Sequence, residues 1–68
     1  MDLPRIFGRN VREQRKRLGM SQEELALEAD MKRSYVSDLE RGTRNPSIKA
    51  VGRLAMALKI EPADLFRR

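Results

Sequence analysis

The chain has 68 residues, with fifteen Lys or Arg against ten Asp or Glu and no His, Cys or Trp. That length allows one domain spanning residues 1–68, and a domain of about 60 residues buries only about 60% of the surface of its unfolded chain. Without cysteine or histidine there is no disulfide, no ordinary zinc site and little of the usual nucleophilic or acid–base machinery, so the chain reads as a binding protein without metal or cofactor, not an enzyme.

The formal net charge of +5 favours a polyanionic partner, while 4% aromatic residues disfavour a stacking platform for single strands. No apolar run approaches the roughly 20 residues of a membrane span, and no signal-peptide pattern opens the chain. The protein is expected to be cytoplasmic, with no membrane partner.

Leu3, Ile6, Phe7, Asn10, Val11, Gln14 and Leu18 recur at three- and four-residue steps, which predicts a first helix with one inward face. Pro4 fits its first turn and Gly19 its C-terminal stop. Ser21 opens the second helix, and Glu24 three residues later completes a capping box. Leu25, Ala26 and Ala29 form its apolar face. Asp30 and Met31 make a tight turn. The third helix holds Tyr35, Val36 and Leu39 and ends at Gly42.

Pro46 imposes extended geometry on Asn45, and Ser47 caps a fourth helix predicted to bury Ile48, Val51, Leu54, Ala55 and Leu58. Glu61 and Pro62 start a short fifth helix carrying Leu65 and Phe66. No segment alternates with a period of two. The expected fold is all-α, a compact bundle of five short helices.

Gln22 to Arg41 carry the spacing of a helix-turn-helix. Two helices crossing steeply need a very small residue at the crossing, supplied by Ala26. Leu25, Ala29 and Met31 seal one side, Val36 and Leu39 the other, and the turn is three or four residues long. Lys32 stands where a capping Ser or Thr is expected, and Arg33 follows in the first turn. Cations oppose the helix dipole there, and Lys cannot accept from the free N–H groups. A helix start that breaks local rules is a candidate functional site. Phosphate oxygens and base edges would supply the missing acceptors.

The stretches Ser21-Gln22-Glu23-Glu24-Leu25-Ala26, Arg33-Ser34-Tyr35-Val36-Ser37-Asp38-Leu39-Glu40-Arg41-Gly42 and Arg44-Asn45-Pro46-Ser47 resemble the Cro/phage-repressor-type (XRE) helix-turn-helix family. The resemblance runs from Ile6 to Phe66. Within the family, the Arg-Ser-Tyr-Val-Ser run and the short chain are most similar to the controller proteins of restriction–modification systems. Asp30 and Lys59 stand where the family usually has glycine. Asp tolerates left-handed geometry, whereas the Cβ of Lys59 disfavours it at the turn into Ile60.

The resemblance implies a lambda-repressor-like fold and a symmetric homodimer bound to a two-fold-related operator on double-stranded DNA. It implies base reading by Arg33, with Ser34, Ser37 and Asp38 also facing the groove. Arg is suited to guanine O6 and N7. Asp38 either accepts from a cytosine amine or holds Arg33 or Arg41 in place. Gln22, Lys32, Tyr35, Arg44, Asn45 and Ser47 are implied on the DNA backbone side, although Arg44 is nearly as well explained as a solvated residue, Ser47 as a cap and Tyr35 as a packing residue. Arg15 and Glu40 match a buried structural ion pair.

Ile48, Val51, Ile60, Pro62, Leu65 and Phe66 exceed what one small core needs, and they are the expected dimer interface. For Leu65, core packing is the preferred reading; for Ile60, Pro62 and Phe66, closing the core and meeting a partner are both open. The leading expectation is a sequence-specific, autoregulatory transcriptional regulator, with RNA polymerase a further partner if it activates. The alternative is an antitoxin-type module that neutralises a partner protein; it expects a tail beyond the fifth helix, and the sequence ends at Arg68. Six basic and six acidic residues cancel over Met1–Asp30, so the whole net charge lies from Met31 onward.

Overall fold

The computed structural model describes residues Met1–Arg68. Four α-helices run over Leu3–Arg17 (α1), Gln22–Glu28 (α2), Arg33–Glu40 (α3) and Ile48–Leu58 (α4), and a 3-10 helix covers Pro62–Phe66. The all-α expectation holds, but the fifth helix is 3-10, not α. That segment has only five residues. It opens on a proline that has no N–H, and a stretch this short closes by i→i+3 bonds. Asp64 N donates to Glu61 O at 2.9 Å in this way.

Helix starts follow the sequence signals closely. Asp2 accepts from Arg5 N at 3.2 Å ahead of α1. Ser21 and Glu24 form the reciprocal capping box, at 3.0 and 2.8 Å. Ser47 Oγ accepts from Ala50 N at 3.0 Å.

The helix ends share one closure. A residue of positive φ follows each of the four α-helices: Gly19 at 71°, Asp30 at 56°, Gly42 at 74° and Lys59 at 60°. In each case two N–H groups turn back onto the last turn. Gly19 N and Met20 N donate to Lys16 O and Arg15 O, and Asp30 N and Met31 N to Leu27 O and Ala26 O. Gly42 N and Thr43 N do the same to Leu39 O and Asp38 O, and Lys59 N and Ile60 N to Met56 O and Ala55 O. This is the Schellman closure, which satisfies the carbonyls that a helix end leaves free. The turn at Lys59 forms in full despite its Cβ.

The core draws on every helix. Phe7, Val11, Leu25, Ala26, Ala29, Val36, Leu39, Leu54, Ala55, Leu58 and Leu65 form one buried cluster. Leu65 is a correction to the expected dimer surface, because it is 0% exposed in the single chain and has nothing to offer a partner. Its backbone is also stapled inward: Asn10 Nδ2 donates to Leu65 O at 3.0 Å and to Arg67 O at 2.7 Å. Ile48 is a second correction, since it is 91% exposed instead of buried. It is the first residue of α4, and that turn overhangs the core. Ala50 takes the inward position instead, ahead of Leu54, Ala55 and Leu58.

Candidate nucleic-acid interface

The crossing of α2 and α3 sets the orientation of α3. Ala26 is 3% exposed at the crossing, and Val36 and Leu39 fix α3 from beneath. Its length is eight residues, so two buried anchors hold one face and leave the opposite face and the N-terminus open.

That N-terminus has no internal cap. Lys32 is in the capping position with no side-chain bond to the helix, and no acid lies in the first turn. Tyr35 N and Val36 N both donate to Lys32 O, at 3.0 and 3.3 Å, but the N–H groups of Arg33 and Ser34 find no acceptor in the chain. The side chains of Lys32, Arg33 and Ser34 are exposed. Donors, a positive dipole end and two cations therefore face outward together, which suits an anionic ligand.

The remaining residues of the expected surface are tied into the protein to different degrees. Ser37 Oγ accepts from Arg41 Nη1 at 2.9 Å. Asp38 pairs with Arg41 and lies 3.7 Å from Arg44 Nη1. Of the two arginine partners left open for it, Arg41 is the one found and Arg33 is not. Tyr35 is half-buried, and its hydroxyl accepts from Ser47 N at 3.3 Å. The Arg44 guanidinium carbon lies 5.0 Å from the Tyr35 ring centroid, a cation–π distance. Ser47 is engaged twice, through this N–H and through its hydroxyl cap, whereas Asn45 is exposed in the loop.

Gln22 sits at the junction of α2 and α3. Its Nε2 donates to Glu40 Oε1 at 3.0 Å. A glutamine amide has two N–H donors, so one stays available for an external acceptor. Glu40 in turn receives a forked pair from Arg15, 2.7 Å from Nε and 3.1 Å from Nη2. Arg15 Nη1 also donates to Met20 O at 2.7 Å. The Arg15 and Glu40 side chains are 11% and 4% exposed. This buried pair joins α1 to the end of α3 and also orients Gln22.

Arg41, named from the sequence only as one alternative partner of Asp38, is held beside these residues by both Ser37 and Asp38. Its signal was present: it follows Ser37 by four and Asp38 by three residues, the spacings at which helical side chains meet.

The apolar residues expected at a dimer face separate into groups. Ile48, Val51 and Phe66 share a shallow groove of about 250 Å³ with Leu3, Pro4, Phe7, Asn45 and Pro46. Phe66 is 38% exposed and leans on Phe7, ring centroids 5.3 Å apart. Ile60 packs against the core, and Pro62 is exposed outside this groove. A larger hollow of about 460 Å³ lies among the C-terminal parts of α1, α2 and α4 and contains no α3 residue. The exposed start of α3 lines neither of these hollows, so it presents an open surface, as a groove-reading element does.

A small all-α domain in which α2 supports α3 and leaves its start exposed is a helix-turn-helix DNA-binding module. A helix-turn-helix family model matches residues 11–65, and the chain belongs to this family of transcriptional regulators, of the XRE type. The control protein C.BamHI of Bacillus amyloliquefaciens is 48% identical over 62 residues, covering 90% of this chain and 76% of that protein. The control protein C.SmaI of Serratia marcescens is 35% identical over 68 residues, covering 100% and 81%. The crystal structure of the restriction–modification controller C.AhdI from Aeromonas hydrophila superposes with a TM-score of 0.90 at 48% identity, covering 93% of this chain and 96% of that one. No helix is long and apolar enough to cross a membrane.

Proposed function

We propose that this regulator binds a palindromic operator as a symmetric dimer and controls its own promoter in the manner of a restriction–modification controller. The observation that carries the reading is the open N-terminus of α3, where Arg33 and Ser34 project with unpaired N–H groups above the anchored Val36 and Leu39. In the proposed roles, Arg33 and Ser34 read bases, with Ser37 supporting them. Lys32, Tyr35, Arg44, Asn45 and the free N–H of Gln22 meet the phosphates.

Arg33→Ala is expected to weaken binding to the operator by about 1–3 kcal/mol and to relax preference at one base pair. Footprinting on the DNA upstream of the protein's own gene locates that operator, with half-sites about 34 Å apart for a dimer. Unchanged discrimination by the Arg33→Ala protein sinks the base-reading role, and a footprint without two-fold symmetry sinks the dimer.

One recognition helix covers few base pairs, so two linked copies supply the specificity. The groove bearing Ile48, Val51 and Phe66 is the proposed contact, and Ile48 is its most exposed apolar residue. Burying it against a partner removes apolar area from water at about 25 cal/mol per Å². Ile48→Asp would place charge in that contact without touching the monomer core. Sedimentation is expected to show monomers where the parent protein shows dimers; a persistent dimer moves the interface elsewhere.

A further inference from the structure

At the exit from α3, one carboxylate serves two cations. Asp38 pairs with the Arg41 guanidinium through Oδ1, and its Oδ2 lies 3.7 Å from Arg44 Nη1. Each arginine has a second hold, Arg41 on the Ser37 hydroxyl and Arg44 over the Tyr35 ring. The backbone carbonyl of Asp38 accepts from both Thr43 N and Thr43 Oγ1 at 3.1 Å, which fixes the start of the loop. The Asp38 side chain is 31% exposed, against 61% for Arg41 and 57% for Arg44. The anion is thus the more covered member, with the cations outermost.

Exposed ion pairs of this kind contribute little to folding. An acid beside the recognition surface also repels phosphate, so a role in binding must outweigh that repulsion. Non-specific DNA binding draws essentially all its free energy from phosphate contacts, whereas specific binding adds base contacts. A guanidinium has five N–H donors in a rigid fork. An arginine held by Asp38 can still bind a phosphate, but only one that arrives at the free edge of the fork. An arginine without that restraint can follow a phosphate wherever it lies.

We propose that Asp38 is a specificity-determining residue that reads no base itself: it positions Arg41 and Arg44 so that they engage phosphates only in the register that operator docking imposes. This rests on the DNA-binding reading above. It adds Arg41 to the backbone-binding residues and takes Asp38 out of the base-reading set.

The test is a salt titration of binding to a mixed-sequence duplex and to the footprinted operator, for the parent protein, Asp38→Asn and Asp38→Ala. Both variants are expected to bind the mixed-sequence duplex several-fold more tightly. The slope of log affinity against log salt should steepen by about 0.9 for each additional phosphate neutralised. Operator affinity should change less, so the specificity ratio falls. Adding Arg41→Gln and Arg44→Gln to Asp38→Asn should abolish the tighter binding. Unchanged or weaker mixed-sequence binding overturns the proposal. So does lost preference at a single base pair with an unaltered slope, which would make Asp38 a base reader. A parent protein that binds neither duplex defeats the DNA-binding reading first, before any variant is compared, and this proposal with it.

Discussion

Glu40→Gln is expected to cost about 3–5 kcal/mol of folding stability, measured by urea unfolding. The substitution keeps the shape of the side chain and removes its charge. Arg15, 11% exposed, then keeps a buried cation facing an amide that cannot balance it. The forked bonds at 2.7 and 3.1 Å lose their charge assistance. A small domain has about 5–15 kcal/mol in total, so a large part of the margin disappears.

The double replacement Arg15→Met with Glu40→Leu is expected to recover much of that loss, because it removes both charges together. The pair therefore has more to do with placement than with net stability. Glu40 also accepts from Gln22 at 3.0 Å, so the apolar double variant should fold while losing the fixed orientation of Gln22. Its DNA affinity should fall more than its stability. Equal losses in the single and double variants would show that the charges are not what matters.

Local rules made much of this fold legible. Ser21 and Ser47 cap helices because their hydroxyls accept from N–H groups three residues on, and that spacing is visible in the chain. Gly19 and Gly42 close helices for an equally local reason. Lys59 was harder to place, because its left-handed conformation depends on Ile60 N reaching Ala55 O at 3.0 Å, a closure that outweighs the cost at the Cβ. The apolar faces were readable to within a turn. Periodicity identifies a stripe, but not how far the helix overhangs the core, so Ile48 is exposed where burial is expected, while Leu65 takes the core position preferred for it.

The candidate interface divides the same way. Lys32 and Arg33 are conspicuous because they break a capping rule. The joint engagement of Asp38 by Arg41 and Arg44 depends on how the loop after α3 folds back. Gly8 left no trace in any local pattern.

Gly8→Ala is expected to destabilise the domain by about 1–3 kcal/mol, although intrinsic helix propensity favours alanine by about 1 kcal/mol. Gly8 is buried in the middle of α1. An added Cβ would lie 2.0 Å from Leu39 O and 3.0 Å from Glu40 O. Both obstructing atoms are backbone at the end of α3, so no side chain can swing aside to relieve them. The two helices must separate. Their common interface also holds the Arg15–Glu40 pair two turns further along α1, and opening it stretches that pair as well.

Because α3 carries the recognition surface, its displacement should reduce operator affinity beyond the loss of folded protein. Gly52→Ala is the control, since beyond the backbone of its own helix nothing lies within 4 Å of that added Cβ. It is expected to stabilise slightly, as an exposed helical glycine should. Thermal unfolding of the two alanine variants therefore separates propensity from packing. If Gly8→Ala melts with or above the parent protein, the close approach of α1 and α3 is not what sets the position of the recognition helix.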